Sequence, residues 1–252
     1  MKKDQSWKDD FYRYTCADGS NGIENKYNVK EIKKIIKKQN IEYLYKFRNG
    51  NLNDILNLSN NQLPICAIKA FNDPFEFLFL PDIDIDIFEK YGEDFLKEAY
   101  DSIDEANQNF TVCSFSQYKD NILMWSHYAN YHKGFCIEYN FYDVFPKFGD
   151  VFPVTYDNNV IQRNKLDMRF MLRKSEDWEY EYEWRIINVN NDNNSLYSLI
   201  NMPKPKSIYL GCKIDGGLKE YLIKYCKGND IKLYQSKIKR HKYKIYFDEI
   251  NE

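Results

Sequence analysis

The chain has 252 residues, 29% of them charged, and a formal net charge of -2. It is long enough to bury a sizeable core and too evenly charged for a general affinity for nucleic acid across its surface. No run of about eighteen apolar residues occurs and the charged N-terminus, Met1 to Asp10, has no apolar stretch behind it, so neither a membrane partner nor a secretory signal is expected and the location reads as cytoplasmic. The six cysteines lack any C-x-x-C pair, which argues against a zinc ribbon or a thioredoxin-like motif.

No Pro/Gly/Ser linker divides the chain, so a single domain over residues 1–252 is expected, with an N-terminal helical segment to about residue 40 and the core after it. A helix is predicted over residues 27–39, where Val29, Ile32, Ile35 and Ile36 fall at helical spacing and the lysines form a solvated face. Residues 41–48 read as a strand that ends at the Asn49-Gly50 turn. Arg48 at its end has paired donors that suit a phosphate, or an ordinary ion pair. A short helix over 52–58 and a strand over 64–71 follow, then the turn Asn72-Asp73-Pro74-Phe75-Glu76, whose polar residues line a pocket or fix a loop.

Asp82, Asp84 and Asp86 suggest a calcium loop, but Ile87 stands where such a loop requires Gly, so no metal is expected. A helix is predicted from about Phe88 to Asn107. On the predicted strand 110–116, Ser114 and Ser116 share a face. Residues 124–129 read as a short helix, and His127 and His132 are five apart, which is not the spacing of two zinc ligands on a helix. Either histidine is structural or reaches a phosphate or ribose hydroxyl. Strands over 135–139 and 151–156 and a helix over 161–174 come next.

Acidic and aromatic residues then alternate over 178–187, the period of a strand with one wet and one packed face. Glu181, Glu183 and Arg185 would share one side, and Tyr182, Trp184 and Ile186 the other. Two carboxylates one pleat apart, roughly 6–7 Å, perturb each other's ionisation and divide charge stabilisation from proton transfer. The alternative is an exposed strand whose charges simply pair. Strands over 207–211, 231–234 and 243–247 and a helix over 218–226 complete the chain. The basic cluster at 237–242 reads as a solvated edge or a contact to nucleic-acid phosphate. Strands and helices intermix without regular βαβ repetition, so the expected class is α+β, a mixed or split β-sheet with flanking helices.

Leu44-Tyr45-Lys46-Phe47-Arg48, Asn72-Asp73-Pro74-Phe75-Glu76, Cys113-Ser114-Phe115-Ser116, Leu123 to Ala129 with His132-Lys133-Gly134, and Lys174 with Trp178, Tyr180-Glu181 and Glu183-Trp184-Arg185 resemble a bacterial domain-of-unknown-function family, the twenty-nine seventy-one family. The resemblance is read as covering roughly residues 41–211, most of the chain. The order Arg48, Ser114-Phe115-Ser116, Glu181-Tyr182-Glu183 is also similar to the Arg, Ser-x-Ser and Glu-x-Glu series of ADP-ribosyltransferases related to bacterial arginine- and asparagine-modifying toxins.

That second resemblance implies a sheet core of ADP-ribosyltransferase-like type and NAD consumed as substrate without a metal. Arg48 would bind its phosphates, Ser114 and Ser116 would prop the nicotinamide ribose site, and Glu183 would contact the ribose hydroxyl. Glu181 would guide the acceptor, a protein or nucleic acid. Phe115, Trp125 or Tyr128 would stack near the nicotinamide, with His127 close by. Phe115 departs from the Thr those toxins usually carry. The activity implied is that of a glycosyltransferase acting as a toxin or antiviral-defence effector. Two other readings stay open, a non-enzymatic module that binds nucleic acid or protein, and a carboxylate-pair hydrolase of nucleosides or sugars, for which Arg48 would be dispensable.

Overall fold

The computed structural model describes residues 4–15, 28–77, 80–81, 97, 101, 110–145, 151–159, 162–163, 171–189, 195–239 and 241–250. Its helices are α1 (Ser6–Thr15), α2 (Val29–Lys38), α3 (Leu52–Ser59), α4 (Ile122–Tyr128), α5 (Phe141–Val144) and α6 (Gly216–Asn229). Strands β1 (Tyr43–Arg48), β2 (Gln62–Ala67), β3 (Leu80–Pro81), β4 (Phe110–Ser116), β5 (Phe135–Asn140), β6 (Val151–Pro153) and β7 (Thr155–Tyr156) come first. Strands β8 (Gln162–Arg163), β9 (Arg173–Lys174), β10 (Glu183–Val189), β11 (Tyr197–Asn201), β12 (Ser207–Leu210), β13 (Lys232–Ile238) and β14 (Ile245–Glu249) follow. The class is mixed α+β, as the sequence implies.

Ten strands form one sheet in the order β11-β2-β4-β1-β5-β12-β13-β14, with β10 paired to β4 and β6. All pairings in it are antiparallel except β12 with β13. The irregular place is β4. One of its edges pairs with β10 along its whole length, from Glu183↔Ser116 to Val189↔Phe110. The other edge is divided: Thr111 and Val112 pair with β2, and Ser116 pairs with Tyr45 of β1. Between those anchors β1 and β2 diverge, and Ser114 finds its carbonyl donor in a side chain, Lys46 Nζ at 2.7 Å. A buried carbonyl left without a strand partner must be satisfied in some such way.

The two faces of the sheet bury different cores. On one, Ile32 and Ile36 of α2, Phe11 of α1 and Leu222 of α6 pack with Leu44, Ile137 and Trp184. The helices form where their local signals lie. Asn28 caps α2 by accepting from Glu31 N, and Asn51 and Asp54 make a reciprocal capping box on α3. On the other face Tyr45, Phe47, Cys136 and Tyr209 pack under Met124, Trp125 and Ala129. Period-two alternation along β1 thus sends Leu44 one way and Tyr45 and Phe47 accordingly. Among the described residues no helix is long and apolar enough to cross a membrane.

Several expectations need correction. The strand expected over 178–187 begins only at Glu183. Glu176–Glu181 is a 3-10 helix capped by Ser175, and Tyr182 ends it in the left-handed region at φ 45, ψ 51. Tertiary bonds outweigh strand propensity there: Ser116 Oγ donates to the Glu181 carbonyl at 2.6 Å, Gln117 N donates to the Tyr182 carbonyl at 3.0 Å, and Asn121 Nδ2 donates to the Tyr180 carbonyl. The strand expected over 64–71 stops at Ala67 and gives way to a 3-10 turn, Ile68–Ala70. Arg163 and Arg173 lie on strands β8 and β9, not on the helix expected over 161–174. Residues 164–170, the helix expected from Phe88 to Asn107 apart from residues 97 and 101, and the aspartates at 82–86 lie outside the described residues.

The turn after α4 fixes the end of β1. Asn130, Tyr131 and His132 are all left-handed, at φ 48, 54 and 68, an unfavourable run for side chains with a Cβ. It is held by Gly134 N donating to Ala129 O at 2.8 Å, His132 N to Trp125 O at 3.1 Å, and Asn130 N to Asn49 Oδ1 at 3.1 Å. Gly134 is required by close approach: a Cβ there would collide with the Arg48 carbonyl oxygen and lie 3.0 Å from the Asn49 carbonyl carbon. Gly134→Ala is therefore expected to lower stability by about 1–3 kcal/mol in urea unfolding. Gly228→Ala, in α6 with no atom within 4 Å of the added methyl, is expected to be stabilising by up to about 1 kcal/mol.

Candidate functional site

Where β1 and β2 diverge from β4 the structure has a cavity of about 400 Å³, within the usual range for a small-molecule site of about 300–1,000 Å³. Its lining comes from β1 (Lys46 and Arg48), β4 (Ser114 to Ser116), α4 (His127 and Tyr128), the residues after β2 (Ala70 to Asn72), and Lys174, Glu181 and Glu183. Eight of the nine residues singled out in the sequence, Arg48, Ser114, Phe115, Ser116, His127, Tyr128, Glu181 and Glu183, line it.

Trp125 does not, and its expected stacking role is corrected. It is fully buried in the core of Tyr45, Phe47 and Cys136, donates from Nε1 to the Lys119 carbonyl at 2.6 Å, and meets Phe47 edge-on at 5.2 Å between ring centroids. Tyr128, one turn further along the helix, packs against the same core but reaches the cavity, whereas Trp125 is enclosed within it. Phe115 contributes to the wall while its ring packs edge-on against Tyr139 in the main core, leaving Tyr128 as the better placed aromatic. His132 is away from the cavity, stacked on Trp125 with Nε2 3.1 Å from Ser126 Oγ.

The cavity has a cationic and an acidic side. On the first, Lys46 and Arg48 stand on one strand. Arg48 Nη2 donates to Asp54 Oδ1, and the other oxygen of Asp54 accepts from Gly50 N at 2.9 Å. The α3 cap thus orients the guanidinium, whose Nε and Nη1 have no protein acceptor among the described residues. On the acidic side, Ser116 Oγ is spent on the Glu181 and Tyr118 carbonyls, so it props the backbone before Glu183. The Ser114 hydroxyl is among the groups that hold the Glu183 carboxyl down.

Behind that wall lies a buried cluster of three carboxylates and two cations. Arg185 donates to Glu183 through Nε at 2.8 Å and Nη2 at 2.9 Å, to Glu76 at 2.8 and 2.9 Å, and to the Met171 carbonyl at 2.7 Å. Lys174 Nζ lies 2.7 Å from Glu181, 3.0 Å from Glu76 and 3.5 Å from Glu183. Tyr128 OH donates to Glu181, and Glu183 N donates to Tyr156 OH at 2.7 Å. Each cluster side chain is 5% exposed or less, so its charges interact through little water.

The two glutamates are pushed in opposite directions. Burial, then the charge of Glu183, raises Glu181 above the ordinary carboxylate value despite Lys174 and Tyr128. Burial pushes Glu183 up as well, but Arg185 and Lys174 outweigh it and hold it down at about 2. Burial alone would lower Lys174, yet Glu183, Glu181 and Glu76 raise it above the ordinary ammonium value, so it stays charged. Of the two, Glu183 is held toward its ionised form and Glu181 takes a proton more readily. Among the described residues no group of three or more His, Cys, Asp or Glu is arranged to hold a metal ion.

Residues 124–186 match the family model described as Protein of unknown function (DUF2971). The match runs from Met124 in α4 to Ile186 in β10, so the DUF2971 segment holds Tyr128, Lys174, Glu181, Glu183 and Arg185 but not Arg48, Ser114 or Glu76. The resemblance expected over 41–211 is met in this central part. No curated protein and no solved structure matches the chain. Sequence reasoning gave no role to Lys46, Lys174 or Glu76. The turn that carries Glu76 and the lysine ahead of two glutamates are visible only as residues, and what joins them is tertiary.

Replacing one member of the cluster strands its partners. Arg185→Met is expected to cost about 3–5 kcal/mol, because Glu183 and Glu76 lose a shared cation. Glu181→Gln is expected to cost less than Glu183→Gln at neutral pH. The depressed Glu183 stabilises the fold only while ionised, so the gap between wild type and Glu183→Gln is full above about pH 4.5 and closes as pH falls toward about 2. Urea unfolding across that range measures all three.

Proposed function

We propose that this cavity binds NAD and breaks the bond between nicotinamide and ribose, in the manner of an ADP-ribosyltransferase-like enzyme. The observation that carries the reading is that Arg48, Ser114 and Glu183, from three distant segments, line one cavity. The opening of the sheet between β1 and β4 supports a split-sheet core of that type.

The polarity of the cavity matches the substrate. Arg48, with Lys46 beside it on the strand, faces the pyrophosphate with paired donors. The ribose lies toward Glu183, whose carboxylate accepts from the ribose hydroxyl. As the C–N bond breaks, its electron pair leaves with nicotinamide and positive charge develops on the sugar. The cluster has one more carboxylate than cations, so its field stabilises that charge more in the transition state than in the ground state. Arg185 holds the Glu183 carboxylate bidentately and removes the reorganisation a free side chain would need. The acceptor oxygen or nitrogen then bonds to the sugar carbon, and its proton passes to Glu181, the glutamate with the higher proton affinity. Tyr128 supplies an aromatic face beside them.

Incubation with NAD, following nicotinamide release, tests the reading. Glu183→Gln is expected to reduce the rate by about two orders of magnitude or more with the far-ultraviolet circular dichroism retained. Arg48→Gln is expected to raise KM with a smaller effect on kcat. No release by the wild type, or a rate unchanged in Glu183→Gln, overturns the assignment. Cleavage of nucleosides that is indifferent to Arg48→Gln would favour the carboxylate-pair hydrolase instead.

A further inference from the structure

Lys174 reaches the site on β9, a two-residue strand paired in parallel with β7, whose Tyr156 receives the Glu183 backbone N–H. Its ammonium is 4% exposed and meets carboxylates from three separate elements: Glu76 in the turn after β2, Glu181 at the end of the 3-10 helix, and Glu183 at the start of β10. The Trp178 ring closes its remaining side, with the centroid 4.5 Å from Nζ. The distances are unequal, and the inequality matters. Lys174 is closest to Glu181, at 2.7 Å, and farthest from Glu183, at 3.5 Å, whereas Arg185 is bound to Glu183 and Glu76. Lys174 is therefore the only ion-pair partner of Glu181 among the described residues, while Glu183 has two.

We propose that Lys174 is a positioning residue that fixes the Glu181 and Glu183 carboxylates at the cavity wall and keeps Glu181 ionised, ready to accept a proton. This deepens the NAD-cleaving reading and rests on it. Lys174 acts through the glutamates. Three surrounding carboxylates keep its amine protonated, which rules out a part as a covalent nucleophile. The charged groups that face it are Glu76, Glu181, Glu183 and Arg185; Tyr128 and Tyr156 complete the polar surroundings of the two glutamates. With Lys174 removed, Glu181 keeps the Tyr128 hydrogen bond and the repulsion of Glu183 but loses its cation, so its proton affinity rises. A base that binds its proton more tightly is ionised only at higher pH, which displaces the acidic limb of the rate profile upward.

The test uses the full chain carrying Lys174→Met or Lys174→Arg, with two readouts. Carbon-13 NMR titration of the glutamate carboxylates, with Glu181 identified from Glu181→Gln, is expected to show the Glu181 midpoint rising by about one pH unit or more in Lys174→Met and mostly restored in Lys174→Arg. The acidic limb of kcat/KM for NAD cleavage is expected to move in the same direction. A Glu181 midpoint that stays in place, or activity that falls in both variants with an unmoved pH profile, overturns the proposal and leaves Lys174 a structural ion. Should the wild type fail to release nicotinamide, the NAD reading falls on that result alone, while the NMR titration still judges Lys174. If Lys174→Met does not fold, the double variant Lys174→Met with Glu76→Gln, which removes one carboxylate along with the cation, is titrated in its place against Glu76→Gln alone.

Discussion

The structure depends on Arg185. It is fully buried, and its guanidinium is bound on every side, by Glu183 next to it on the strand, by Glu76 from the turn after β2, and by the Met171 carbonyl. Taking a guanidinium out of water is costly unless nearly all its donors are met by acceptors of good geometry. Meeting them draws three remote segments to one point, and Lys174 adds a fourth contact to two of the same carboxylates. Carboxylates outnumber cations by one in this cluster, and two of them, Glu181 and Glu183, line the cavity.

The second constraint is the unequal use of the two edges of β4. One edge is paired throughout with β10, which sets Glu183 opposite Ser116 and Arg185 opposite Ser114. The other is shared between β2 and β1, and the gap between them is the cavity. The left-handed turn at 130–132 and the close contact of Gly134 with the Arg48 carbonyl hold the diverging end of β1 in place. A void in a sheet would cost packing energy if it were apolar and dry. Here Lys46 bonds the Ser114 carbonyl that lacks a strand partner, and Arg48, Lys174, Glu181 and Glu183 set charged groups into a wall that is otherwise largely apolar.

Much of this was legible from residue order. Alternation located β4 to the residue, the Asn49-Gly50 turn located the end of β1, and the short helix read over 52–58 is α3 but for its last residue. Side-chain alternation also sent Glu183 and Arg185 to one side and Trp184 to the other, where it packs edge-on against Phe11. Period two failed for Glu181, which faces the cavity through the left-handed Tyr182 and a 3-10 helix, not through the pleat. The determinants there are hydrogen bonds from Ser116, Gln117 and Asn121, and no local pattern encodes them. Trp125 was misassigned for a similar reason, since a four-residue stretch of aromatic and polar residues does not say which helical face meets the sheet. Lys174 and Glu76 were present in short motifs, but their partnership exists only once the sheet has closed.

The central claim is that one dinucleotide-sized ligand spans the cavity from Arg48 to Glu183. A crystal structure of the chain soaked with ADP-ribose tests it most directly. The pyrophosphate is expected against the Arg48 guanidinium and the terminal ribose within hydrogen-bond distance of the Glu183 carboxylate. ADP-ribose seated elsewhere, or a cavity that stays empty at saturating ligand, would contradict it.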